Sequence, residues 1–96
     1  MSVLDSKPVP GGEVRLVQAG RTRVRVERVQ DGQVVWSKVL DVVPPGGDPE
    51  HIVGPSRLLH VPQGPGLVLV QTTIEHARGG EVVDERTHRV DVETGA

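Results

Sequence analysis

Apolar positions recur with a period of two along most of this chain. In Arg21–Gln30, Val24 and Val26 fall on one side and Arg21, Arg23, Arg25 and Glu27 on the other. Such alternation predicts a half-buried β-strand. Gln33–Val43 follows across an Asp31-Gly32 pair, the strongest short hairpin signal a sequence offers. It carries apolar side chains on both faces, with Val34, Trp36, Leu40 and Val42 on one parity and Val35, Val39 and Val43 on the other. That pattern predicts a central strand. Two registers fit this hairpin. A two-residue turn sets Glu27 opposite Trp36. A three-residue loop with a glycine bulge sets Val26 opposite Trp36 and Val24 opposite Lys38. We favour the second, which keeps Val24, Val26, Trp36 and Leu40 on one face.

The remaining segments read as strands at 13–19, 51–53, 57–61, 67–77 and 81–92. The last two form a second long hairpin across Arg78-Gly79-Gly80. Pro44–Glu50, with three prolines and two glycines, is a break long enough to pass from one sheet to another. Residues 1–12 hold two prolines and two glycines without periodicity, and are expected to be a flexible or extended N-terminal arm. The domain is then 13–93, with a tail at 94–96. Six to seven strands and no helix define an all-β fold, a single antiparallel β-sandwich. A small β-barrel is the alternative.

The valine-rich hairpin with Trp36 on its return strand, the Pro/Gly-rich crossing and the closing GPGLVLVQTTIEHARGGEVVDERTHRVDV hairpin resemble immunoglobulin-like or fibronectin type III-like sandwiches over residues 13–93. The chain departs from those families in having no cysteine pair and no tyrosine for the usual corner. A shared sandwich implies no function.

Composition narrows the core. Of 96 residues 20 are Val and 2 Ile, with one Trp and no Phe, Tyr or Cys. The fold must rest on Val and Leu packing around one indole. Lacking cysteine, it gains nothing from disulfides. Absence of a signal peptide or transmembrane segment leads us to expect a cytoplasmic or virion-associated protein.

Charge excludes little but localises something. The net charge is −2, which gives nucleic-acid binding no support. One tryptophan cannot supply the stacking platform that single strands or sugars need, and Trp36 itself reads as a core residue. Residues 1–40 carry seven Lys/Arg against four Asp/Glu; residues 41–96 carry four against nine. The halves of the fold can attract one another, or one molecule can attract the next.

No nucleophile elbow, phosphate loop or metal-ligand spacing appears among the hydroxyls, glycines and histidines. His76 and His88 lie on strands expected to pair, and could approach each other. We expect no cofactor, no metal site and no catalysis. The distinctive charged feature is the ladder Arg21, Arg23 and Arg25, suited to gripping the carboxylates of a protein partner. An alternating arginine row is also an ordinary solvated strand face that guards an edge. The expected function is a non-enzymatic module acting by protein–protein association, a homo-oligomer or a component of a larger assembly such as a virion or tail. The alternatives are a domain that recognises an acidic protein through the arginines, and a small barrel enzyme or apolar ligand carrier.

Overall fold

The computed structural model describes residues 2–96. It is all-β, with eight strands: β1 (Val3–Val9), β2 (Gly12–Gln18), β3 (Arg23–Gln30), β4 (Gln33–Asp41), β5 (His51–Val53), β6 (Arg57–His60), β7 (Leu67–His76) and β8 (Val82–Asp91). The eighth strand beyond the expected seven is β1. It pairs with β2 as an antiparallel edge, with Pro8 opposite Glu13 and Val9 opposite Gly12. Pro8 lacks a backbone N–H, which an edge strand tolerates because one of its sides has no neighbour to receive it.

All pairings are antiparallel and divide into two sheets. The first runs β1-β2-β3-β4. In the second, β7 is flanked by β8 on one side and by β5 and β6, end to end, on the other. Both sheets are open-ended, so the closed-barrel alternative is not what the chain forms. Each is a run of consecutive strands, and Pro44–Glu50 carries the chain from one to the other. One core cluster draws on both: Val14, Leu16, Val24, Val26 and Leu40 from the first, Leu58, Val68, Val70, Ile74 and Val90 from the second. Side-chain hydrogen bonds also stitch the sheets together. The Leu58 amide donates to Asp5 Oδ2 at 2.8 Å, and Gln63 Nε2 donates to the Pro8 carbonyl at 2.8 Å.

The β3–β4 hairpin corrects two expectations. Asp31 and Gly32 both take positive φ, 51° and 78°, which closes a two-residue turn with Gln30 opposite Gln33. A bulge then follows. Val29 faces Val34, but Arg28 faces Trp36, so Val35 is skipped. The shift sets Val26 opposite Lys38 and Val24 opposite Leu40, not Val26 opposite Trp36. The valines still reach the core because the bulge, placed inside the strand instead of at the loop, makes the one-residue correction that the tight turn leaves undone.

The second correction concerns β4 itself. It is an edge strand, paired only with β3. Leu40 is buried and Trp36 packs partly buried against the core, but Val34, Val35 and Val39 are each 50% exposed. The apolar residues on its outer face have no second layer to cover them.

The C-terminal residues lock onto Trp36. The indole Nε1 donates to the Val92 carbonyl at 3.0 Å, and Arg28 Nη1 donates to the same oxygen at 2.8 Å. Gly95, at φ 77°, lies so close that a β-carbon there would come within 2.7 Å of the ring. The tail is held in turn by Asp91, whose carboxylate accepts from the Glu93 and Thr94 amides. Those two hydrogen bonds keep the Asp91 pKa below the usual carboxylate value.

Candidate functional site

Alternation along β3 does set Arg23, Arg25 and Glu27 on the outer face of the first sheet. Their partners lie along β3 itself and on the strands to either side. Arg25 Nε donates to Glu27 Oε2 at 3.0 Å, and Arg15 Nε, from β2, donates to Glu27 Oε1 at 2.7 Å. The Glu27 side chain is only 5% exposed between them. Its two oxygens are thus both taken by guanidinium groups, as a carboxylate held out of water requires. Arg23 Nε donates to Asp41 Oδ1 on β4 at 2.8 Å, but both side chains are half exposed. An ion pair in that setting contributes about 0–1 kcal/mol.

Arg21 stands apart. It precedes β3 and its side chain is exposed. No carboxylate lies within ion-pair distance of it among the described residues. Its backbone is fixed, however. The Arg21 carbonyl accepts from the Val53 amide at 2.8 Å, and the Thr22 carbonyl accepts from the Val42 and Val43 amides at 2.9 and 3.1 Å. These bonds tie the entry of β3 to both β5 and the end of β4.

The structure therefore splits the ladder. Arg21 and Arg23 line a surface cleft of about 330 Å³ whose far wall is the Pro44–Pro49 loop. Thr22, Asp41, Asp48 and His51 complete its polar lining. Asp48 Oδ2 lies 3.6 Å from His51 Nε2, and its Oδ1 accepts from the Glu50 amide at 2.8 Å. With Arg23 matched by Asp41, Arg21 is the arginine of this cleft that has no carboxylate partner among the described residues. Arg25 is not part of this cleft. The sequence marks the proline loop as a break and a crossing between sheets, and nothing in it signals which arginines it faces.

The histidines separate differently from the expected arrangement. His88 faces Val70 and hydrogen-bonds Thr72 Oγ1 through Nε2 at 2.8 Å. Burial, and then the Arg86 guanidinium, lower its pKa. His76 sits far along β7 from that point and packs edge-on against His51, with ring centroids 6.2 Å apart. His76 and His88 do not meet, because the register sets His88 opposite Val70, six residues along β7 from His76. Among the described residues no three His, Asp or Glu side chains gather as a metal site would require. No helix among them is long and apolar enough to cross a membrane.

Fold and site together define an all-β domain of two antiparallel sheets with a polar, proline-walled cleft and a half-exposed apolar edge strand. Comparison with protein-family models, with curated proteins and with solved structures finds no match to this chain.

Proposed function

We propose that the chain is a non-enzymatic protein–protein association module whose two sheets form a β-sandwich around the shared core. The observation that carries this reading is the apolar surface left on the two long edge strands. Val34, Val35 and Val39 of β4 and Val82 and Val83 of β8 are all between 44% and 50% exposed. Valine on an exposed edge gains little for a lone molecule and invites pairing. The architecture of an immunoglobulin-like or fibronectin type III-like domain suits such a role. Its Greek-key exchange of strands between sheets differs from the division here, where β1–β4 form one sheet and β5–β8 the other.

A second reading is favoured by Arg21, a guanidinium on a rigid backbone with no acid opposite it. It makes the cleft a subsite for a carboxylate of an acidic protein partner, with Arg23 beside it and Arg25 engaged elsewhere.

Sedimentation velocity over a concentration series, at low and high salt, tests the first reading and separates the two. Association through apolar edges gives a mass above the monomer's 10.3 kDa that persists in salt. A strict monomer at high concentration overturns the self-associating form of the module and leaves the cleft as the surviving site.

A further inference from the structure

The four sheet edges are unequally guarded. β1 carries Lys7 and Pro8, and the β5–β6 edge is interrupted at Pro55. β8 is lined by charge from Asp84 to Arg89. β4 holds only Lys38 and Asp41 in nine residues, plus its bulge. It is also the strand whose residues suit a central position, yet it has one neighbour.

We propose that β4 pairs antiparallel with β4 of a second copy of this chain, about a two-fold axis through Ser37, joining two four-stranded sheets into one. This rests on the association reading above. The sequence of β4 is self-complementary about that point. Counting outward from Ser37, Val39 of one copy meets Val35 of the other, and Lys38 meets Trp36. The matched stretch ends there, because the bulge at Val35 leaves Val34 on the outer face with Val29 while Leu40 stays on the core face with Val24. No like charges face each other. Val35, the residue that the bulge leaves without a partner on β3, gains one.

Lys38 selects this register. A shift that puts the axis through Lys38 sets two ammonium groups face to face and moves Val39 opposite Ser37, losing the valine contacts. In the Ser37 register each ammonium lies beside an indole, an attractive placement. A charge that guards the edge against other pairings is thereby accommodated in this one. The occupant is a second copy because a two-fold interface requires one patch to match itself, and this strand does.

Charge placement across the axis tests the register. V35K/V39K sets introduced lysines opposite each other twice in the dimer. Its dissociation constant should rise by roughly tenfold or more, from two like-charged cross-strand pairs. V35K/V39D turns the same two contacts into ion pairs. It should regain much of the association at low salt and lose it at high salt. Circular dichroism and urea unfolding of each variant at monomer concentration check that the fold survives. Ser37→Cys gives an independent readout in a chain with no other cysteine. Directly opposed antiparallel residues lie about 4.5–5.5 Å apart at Cα, within disulfide reach. A mild oxidant such as diamide should therefore trap the dimer covalently. A wild type that associates while V35K/V39K associates equally well, or V35K/V39D no better than V35K/V39K, overturns the β4 interface and leaves association through another surface. A wild type that stays monomeric overturns both.

Discussion

β4 and β7 have similar raw material and opposite fates. Both carry apolar side chains on both faces: Val34, Val35, Trp36, Val39 and Leu40 in one, Leu67, Val68, Leu69, Val70 and Ile74 in the other. β7 has neighbours on both sides, and its inward row Val68, Val70, Thr72 and Ile74 is buried to 4% exposure or less. β4 has one neighbour and buries only Leu40, with Trp36 partly covered. The difference is topological. β7 is the penultimate strand, and the chain lays β5 and β6 against one of its sides and β8 against the other, whereas the proline-rich segment after β4 leads the chain away to the other sheet. An apolar residue is worth what its surroundings cover, and side-chain type alone does not say which strand will be covered.

The largest expected effect breaks the comparison directly. Val70→Ala removes two buried methyl groups in the middle of the core and should cost about 2 kcal/mol, including the cavity left behind. Val39→Ala on β4 should change stability by no more than about 0.5 kcal/mol in the monomer. Urea unfolding of both variants at low protein concentration measures the gap. Equal losses would show that β4 is as well covered as β7. A cost for Val39→Ala that grows with protein concentration would show that a second copy provides the cover.

The next effect sharpens the comparison at the point where β4 reaches inward with a large side chain. Trp36 is held between the Val92 carbonyl and Gly95. Gly95→Ala adds a β-carbon against the indole at a positive φ that alanine adopts poorly. It should cost about 1–2 kcal/mol. Because Trp36 is the only tryptophan, its fluorescence reports the contact: emission should move to longer wavelength as the tail lifts. Unchanged emission and stability would show that the tail does not anchor β4.

The strands between residues 12 and 91 were legible because valine alternation and Pro/Gly breaks are local signals. β1 was not, since VLDSKPV has no alternating face and is recruited by pairing with β2. Whether a strand is central or an edge depends on neighbours tens of residues away, so the apolar content of β4 pointed the wrong way. The place of the turn at Asp31-Gly32 was legible, but its two-residue closure and the bulge at Val35 were not, because the bulge answers a mismatch between turn and core that exists only in three dimensions. Of the candidate site, the outward row Arg23, Arg25 and Glu27 could be read directly. Its neutralisation could not: Arg15 reaches Glu27 from another strand, and Asp41 reaches Arg23 across the hairpin. The cleft beside Arg21 depends on a loop whose sequence announces irregularity and nothing about direction.

The smallest effect compares the two strands' inward polar residues. On β4, Lys38 is exposed at the open edge; on β8, the neighbour of β7, His88 is partly buried against the hydroxyl of Thr72, itself fully buried. Burial and Arg86 lower the folded-state pKa of His88 beneath the ordinary histidine value of about 6.5. Between those two values the unfolded chain binds the proton and the folded chain resists it. The contribution of His88 to stability is therefore complete above about pH 6.5. It declines as pH falls towards the folded pKa, and is absent below it. His88→Gln can keep a hydrogen bond to Thr72 without titrating. Thermal unfolding between pH 7.5 and 5.5 should show a shallower loss of stability for this variant than for the wild type. Parallel curves would mean that His88 takes up its proton in the folded protein as readily as in the unfolded one. In that case the β7–β8 side of the domain is as open to water as the β4 edge.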